Sequence, residues 1–305
     1  MITAKLFIFY FRSMNNGKNS VDGMIFLFHQ ELSSLYPEQE IRAILYQLFD
    51  DLMGWSRAKV HLNRGLLLNT ESGTRFLEAL GRLKTGEPIQ YITGHVEFCG
   101  LTLTVQPGVL IPRPETEELA VMVTRDNQSL RNQSVSILDI GTGSGCLALA
   151  LKKAFPFARV KATDRFKDAL DTASKNALAN QLEVDFYQDD ILNPSSSLGE
   201  GDFQIIVSNP PYIPENEKAD ISRHILDYEP ENALFVPASN PLLFYHAISR
   251  FAKAQLAPGG MLYVEVHERY GEEAARLFRA RGFHPVELSR DLFGKQRFIR
   301  GSLPG

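Results

Sequence analysis

Apolar residues early in the chain recur with helical spacing. Ile41, Ile44, Leu45, Leu48, Phe49 and Leu52 fall at i, i+3, i+4, i+7, i+8 and i+11, one face of a helix. Leu66–Leu68, and then Phe76, Leu77, Leu80 and Leu83, predict further short helices, broken at Gly73 and Gly86. Residues 24–89 are accordingly read as a small helical domain. Strand character follows from Val96 to Val105, punctuated by Gly94 and Gly100 and ended by Pro107-Gly108, which predicts a β-hairpin linker over 90–112. Pro112 and Pro114 flank Arg113. Glu115, Glu117 and Glu118 then occupy the first turn of a helix, where negative charge suits the macrodipole.

From residue 134 short apolar runs alternate with helical patterns. The strand candidates are Val135–Ile140, Arg159–Thr163, Glu183–Tyr187, Gln204–Ser208, Gly260–Val266 and Phe283–Leu288. Helices are expected between them, for example over Asp168–Ala179 and Pro241–Leu256. Such alternation predicts an α/β domain over 113–305, its mostly parallel sheet covered on both faces. Arg297–Arg300 adds a last strand, paired to the previous one across a turn near Gly294. Ser195–Ser197 reads as a surface loop.

Composition narrows the function classes. The 305 residues are 44% hydrophobic and 22% charged, as in soluble globular proteins, so a packed core is expected. The net charge of −4 disfavours extended binding to a phosphate backbone, and no stable nucleic-acid binding is expected. Cys99 and Cys146 are the two cysteines, too few for a disulfide framework or a CxxC site. They fit a reducing compartment, and a cytoplasmic location is expected. No protein-held metal is expected, because His267-Glu268 lacks a second histidine at zinc-protease spacing. The apolar run Leu6–Phe11 is far shorter than the roughly 20 residues of a membrane span, and no membrane partner is expected. Residues 1–23 are read as an extension, either a real arm or the product of a start codon placed too early, with Met14 or Met24 as alternatives.

Two motifs carry the chemistry. Asp139-Ile140-Gly141-Thr142-Gly143-Ser144-Gly145 joins a strand to a helix through a glycine turn, which lets backbone approach a ligand closely. A dinucleotide fingerprint needs G-x-G-x-x-G, and Cys146 stands where its third glycine belongs. The G-x-G-x-G form instead resembles motif I of S-adenosylmethionine-dependent methyltransferases. Asp164 follows the next strand, 19 residues past Gly145, where a carboxylate can accept both ribose hydroxyls. Asp189 or Asp190 at the end of the third strand can meet the adenine amino group while Ile191 packs on its ring; the sequence leaves open which aspartate faces inward.

The second motif is Asn209-Pro210-Pro211-Tyr212, directly after the fourth strand. Ligand crevices in open parallel sheets lie beyond the carboxyl ends of the strands, so this tip is expected beside the cofactor. The prolines fix φ and carry no N–H, leaving carbonyl acceptors; Asn209 adds a side-chain oxygen and Tyr212 an aromatic face. Together they suit a flat NH₂ group, whose hydrogens become more positive as the nitrogen attacks a methyl carbon.

With these motifs, the chain from about residue 24 resembles the PrmC/HemK family, the protein-(glutamine-N5) methyltransferases. The resemblance includes Gly86-Glu87-Pro88-Ile89-Gln90-Tyr91-Ile92-Thr93-Gly94, Glu97-Phe98, Leu110-Ile111-Pro112-Arg113-Pro114-Glu115-Thr116-Glu117, Tyr228-Glu229-Pro230 and Arg290-Asp291. It implies a class I, Rossmann-like methyltransferase domain with a seven-stranded sheet. It implies S-adenosylmethionine contacts from Gly141, Thr142, Gly143, Ser144, Gly145, Asp164, Asp190, Ile191 and Asn209. It places the substrate glutamine, in the Gly-Gly-Gln tip of a peptide chain release factor, at Asn209, Pro210, Pro211 and Tyr212, with Asn209, Pro210 and Tyr212 serving catalysis. The helical domain is expected to help dock the release factor, and Arg113 and Glu115 to have a structural or substrate-side role. The alternative is an adenine-N6 methyltransferase, whose exocyclic amine suits the same pocket but needs a flipped base and a basic groove. A non-catalytic binder is a further alternative, opposed by the intact glycine loop.

Overall fold

In the computed structural model, residues 20–195 and 202–305 are described; most of the N-terminal extension, and Ser196 and Ser197 of the expected surface loop, lie outside them. The chain divides into two compact units, Met1–Gly94 and His95–Gly305.

The first unit is helical. Helix α1 (Val21–Leu32) starts at Ser20, whose side chain accepts a hydrogen bond from Gly23 N, and buries Val21, Met24, Phe28 and Leu32. Residues 21–23, expected in the extension, therefore belong to this helix. Helix α2 (Glu38–Met53) buries Ile41, Ile44, Leu45, Leu48 and Phe49, the predicted face, and stops at Gly54 in the left-handed region. Helix α3 (Arg57–Leu62) is short. Leu66–Leu68 form no helix: Leu67 only bridges Ser20, and Leu66 and Leu67 are exposed. Helix α4 (Thr70–Lys84) runs through Gly73 rather than breaking there. Asn69 caps it through Ser72 N, and burial of Phe76, Leu77, Leu80 and Leu83 outweighs the roughly 1 kcal/mol that an internal glycine costs. Helix α5 (Ile89–Thr93) occupies the start of the expected hairpin linker.

The hairpin itself is β1 (His95–Phe98) and β2 (Leu101–Thr104), antiparallel across Cys99-Gly100. It belongs to the second unit, where Phe98, Leu101 and Leu103 enter a core layer. Asn176 clamps it, accepting from Thr104 N at 2.7 Å and donating to Thr104 O at 3.0 Å. Helix α6 (Pro114–Asp126) begins with proline at its first turn, where a missing N–H costs nothing.

The remaining elements alternate as the pattern predicts. They are β3 (Ser136–Ile140), α7 (Cys146–Ala154), β4 (Arg159–Asp164), α8 (Lys167–Ala179), β5 (Asp185–Gln188) and β6 (Phe203–Ser208). After β6 come β7 (Ile213–Pro214), α9 (Arg223–Tyr228), α10 (Glu231–Leu234), β8 (Phe235–Val236) and α11 (Leu243–Gln255). The chain then runs through β9 (Leu256–Glu265), α12 (Gly271–Ala280), β10 (Val286–Arg290) and β11 (Gln296–Ser302). The seven-stranded sheet has the order β10-β11-β9-β6-β3-β4-β5, parallel from β9 to β5, with β10 and β11 as an antiparallel edge. Its strands alternate between two core layers. On β3, Ile137 joins Leu119, Val123, Leu147 and Leu151 on one face. Leu138 and Ile140 join Tyr245, Ile248, Ala274 and Phe278 on the other.

Strand order reverses at β3. The chain steps outward through β4 and β5, then returns to the other side of β3 as β6. That switch opens a crevice beyond the carboxyl ends of β3 and β6. In the register, Ile140 lies beside Thr163 and Ser208, and Ser208 beside Val264. Gly141, Asp164, Asn209 and Glu265 are the next residues along these four strands, so they arrive at one level.

Candidate functional site

A cleft of about 950 Å³ occupies this switch point. Gly141, Gly143, Asp164, Asp190, Ile191, Asn209, Pro210 and Pro211, all expected from sequence, line it. Thr142, Ser144 and Gly145 do not. Thr142 is turned inward, its hydroxyl donating to Asp139 Oδ2 at 2.6 Å, and Ser144 is buried. Gly145, at φ 85°, lets helix α8 approach: an added Cβ would meet Ala173 Cβ at 3.1 Å. Gly141 and Gly143 differ. Both have positive φ, yet an added Cβ would meet no protein atom within 4 Å. Their missing side chains leave room for a ligand rather than for packing.

Asp164 closes the loop from the β4 side. Its Oδ2 accepts from Gly143 N and its Oδ1 from Phe166 N, each at 2.9 Å. Burial pushes its carboxyl above the ordinary range while these N–H groups pull it back. Each oxygen keeps a lone pair for a hydroxyl donor. Asp189 and Asp190 both border the cleft, with Ile191 beside them. Asp189 Oδ1 accepts from the backbone of Asp190 and Ser195, and Asp190 Oδ1 from Leu192 N. Phe166, Val109, Leu110 and Phe244 supply apolar wall that motif reading missed; Phe166 was within reach, two residues past Asp164 on the same turn.

The donor set fits S-adenosylmethionine. Open glycine backbone suits its amino-acid end, Asp164 its ribose, and apolar wall its adenine, while three carboxylates around the cleft favour a cationic sulfonium. Among the described residues no cluster of His, Cys, Asp and Glu is arranged to hold a metal.

At the β6 end, Asn209 Nδ2 donates to Thr116 Oγ1 at 2.8 Å, and Thr116 Oγ1 donates to Glu265 Oε2 at 2.9 Å. Tyr212 does not border the main cleft. It lines an adjoining apolar hollow that shares Asn209 and Pro210, and its hydroxyl donates to Glu265 Oε1 at 2.9 Å. Burial, then the nearby Glu265 charge, holds the Tyr212 phenol well above its ordinary value, so it remains a donor. Burial pushes Glu265 itself up to about 7, against the pull of its Thr116 and Tyr212 hydrogen bonds and of Arg297. The sequence carried a signal for Glu265, a carboxylate ending the apolar run Met261–Val264 at a strand terminus.

The Ile-Pro-Arg-Pro segment is fastened to the Tyr-Glu-Pro segment. Arg113 Nη2 pairs with Glu229 Oε1 at 2.5 Å, and Ile111 N donates to Glu229 Oε2 at 3.1 Å. Both segments reach the cleft, through Leu110 and Pro230. Asp291 plays a similar part at the β10–β11 turn, accepting from Phe293 N, Lys295 N and Arg297 Nε.

Residues 28–94 match the PrmC N-terminal domain and residues 121–232 the methyltransferase small domain. The release factor glutamine methyltransferase of Bacteroides thetaiotaomicron is 39% identical over 270 residues, covering 88% of this chain and 95% of its own. That of Flavobacterium psychrophilum is 39% identical over 274 residues, covering 90% and 95%. The fold alone is shared with a 16S rRNA N2 G1207 methyltransferase of Thermus thermophilus solved with AdoMet and guanosine (TM-score 0.50, 19% identity, 68% of this chain and 49% of that one). With relatives this similar over nearly its whole length, and a cleft that fits the methyl donor S-adenosylmethionine, the chain belongs to the release factor glutamine methyltransferase family.

Proposed function

We infer that the protein transfers a methyl group from S-adenosylmethionine to the side-chain amide nitrogen of the glutamine in the Gly-Gly-Gln motif of a peptide chain release factor. The observation that carries this reading is the state of Asn209. Its NH₂ is committed to Thr116, so its Oδ1 is the end left to accept from a substrate NH₂ at the rim of the cleft.

When bound, the cofactor supplies an electrophilic methyl on a sulfonium. The chain's own residues bind and orient. Gly141, Gly143, Asp164, Asp190 and Ile191 hold the donor, with Thr142, Ser144 and Gly145 shaping the loop from behind. Asn209 Oδ1 and one proline carbonyl of the tip accept the two hydrogens of the glutamine NH₂, and Tyr212 borders the hollow beside it. An amide nitrogen is weakly nucleophilic because its lone pair is delocalised. Acceptors on its hydrogens favour the pyramidal, more positive nitrogen of the transition state over the planar ground state. Holding nitrogen and methyl carbon roughly 3–3.5 Å apart and in line supplies much of the remaining acceleration. The nitrogen loses its surplus proton after the N–C bond forms, so no strong base is required.

The helical unit is read as a docking module for the release factor. A release-factor substrate supports reading the enzyme as cytoplasmic. Among the described residues no helix is long and apolar enough to cross a membrane. Mass spectrometry of a release factor incubated with enzyme and cofactor tests the reading. A single added methyl on the Gly-Gly-Gln peptide is expected; an unmodified release factor beside a methylated adenine oligonucleotide would replace it with the nucleic-acid alternative.

A further inference from the structure

We propose that Glu265 and Thr116 are positioning residues for methyl transfer: a one-way hydrogen-bond relay from carboxylate to hydroxyl fixes which end of the Asn209 amide faces the acceptor nitrogen. This rests on the reading of Asn209 as the residue that holds the substrate NH₂.

A threonine hydroxyl has one proton to give. Thr116 gives its proton to Glu265 Oε2 at 2.9 Å, an acceptor at the end of β9 that is fully buried. Toward Asn209, 2.8 Å away, the same hydroxyl can then only accept. Asn209 must present NH₂ to it, which turns Oδ1 the other way. With the amide reversed, Oδ1 would face a hydroxyl lone pair and NH₂ would face the substrate's own NH₂, donor against donor. Glu265 Oε1 takes the Tyr212 proton in the same manner, so one carboxylate orients both polar side chains of the Asn-Pro-Pro-Tyr tip. An ionised carboxylate accepts on both oxygens. A glutamine would offer NH₂ to one of the two hydroxyls and reverse that branch.

Three separate elements converge here: Thr116 from α6, Asn209 and Tyr212 from the loop after β6, and Glu265 from β9. Thr116 itself is 1% exposed, so water is excluded from the relay. The charged and titratable groups that act on Glu265 are Arg297, whose guanidinium lies 6.0 Å from the Tyr212 ring centre, and Glu115, Tyr212, Tyr245 and Cys146. The two-acceptor form is the ionised one.

The test compares wild type with Thr116→Val, Thr116→Ser and Thr116→Ala at about pH 8, on the alkaline side of the Glu265 transition. It measures kcat and KM for a release-factor fragment carrying Gly-Gly-Gln, and S-adenosylmethionine Kd by calorimetry. Thr116→Val keeps shape but removes the hydroxyl, and kcat is expected to fall roughly 10- to 100-fold with cofactor Kd within about twofold. Thr116→Ser is expected to return kcat to within about threefold of wild type, because the serine hydroxyl makes the same two bonds. A Thr116→Val enzyme as fast as wild type, or a serine variant as slow as the valine one, would overturn the relay. Should the valine variant not fold, Thr116→Ala, which also lacks the hydroxyl, decides, and wild-type kcat there would equally overturn it. A wild-type enzyme that binds cofactor but leaves the fragment unmethylated refutes the substrate reading and the relay's purpose with it, a result distinct from unequal or equal variants.

Discussion

Two polar side chains at strand ends on either side of β3 present different groups because their surroundings differ. Asp164 is drawn into the glycine loop by two backbone N–H groups, whereas Asn209 is held at its nitrogen and open at its oxygen. Asn209→Ala should therefore reduce turnover by roughly 100-fold or more while S-adenosylmethionine affinity stays within a few-fold. Asp164→Ala should weaken cofactor binding by roughly tenfold or more, through loss of charge-assisted hydrogen bonds. Titration calorimetry alongside a methyl-transfer assay separates the two, and unchanged affinity in Asp164→Ala would remove the ribose assignment. Both were picked out in the sequence by their motifs, Asp164 by its spacing after the glycine loop and Asn209 by the paired prolines that follow it. Thr116 and Glu265 were not singled out, because a threonine in an acidic first turn and a glutamate ending a strand look solvated until the elements around them pack.

At the scale of elements, the glycine loop shows how one motif mixes roles. Gly143 faces the cleft and Gly145 faces helix α8, though both have positive φ. Alanine at either position adds left-handed strain of about 1–2 kcal/mol. Gly145→Ala also presses on Ala173, so its melting temperature should fall further than that of Gly143→Ala, while Gly143→Ala should lose more cofactor affinity than its stability change explains. Equal losses of both kinds would erase the distinction. The Arg113–Glu229 pair joins two loops in the same unit, with the Glu229 side chain 1% exposed. Arg113→Ala strands that carboxylate in the interior and should cost about 3 kcal/mol in urea unfolding. A loss below about 0.5 kcal/mol, typical of a surface pair, would contradict it. Element types were read well wherever the period was long, as along α2 and β3. The misreadings at Gly73 and Leu66–Leu68 share a cause. Local breakers and short apolar runs were weighed without the Asn69 cap or the packed face that decides them.

Across the whole molecule, buried carboxyls set the pH response. Burial raises Asp139 from 3.8 to about 7, with bonds from Thr142 and Ala148 N opposing and the Asp164 charge adding; Glu265 rises from 4.5 to about 7. A folded carboxyl with a raised pKa keeps its proton when the unfolded chain has already lost it. Its contribution is present below the unfolded value, declines as pH rises between the two, and is gone above the folded one. The second unit should lose up to a few kcal/mol of stability between about pH 4 and pH 7 on this account, and Asp139→Asn should flatten its share. Thermal unfolding across that range reads it, and a wild-type-to-variant difference that does not change with pH would count against it. By itself the sequence determined the helical and α/β regions, the parallel sheet, the glycine loop and the proline-stiffened tip, because hydrophobic period and turn chemistry are local properties. Tertiary structure alone decided which glycines face the cleft, that the hairpin belongs to the second unit's core, and that Glu265 and Thr116 stand behind Asn209. Those facts depend on strand order and register, which bring residues 209 and 265 to one end of the sheet, and on the packing of α6, which delivers residue 116 there, although nothing in their separate neighbourhoods requires it.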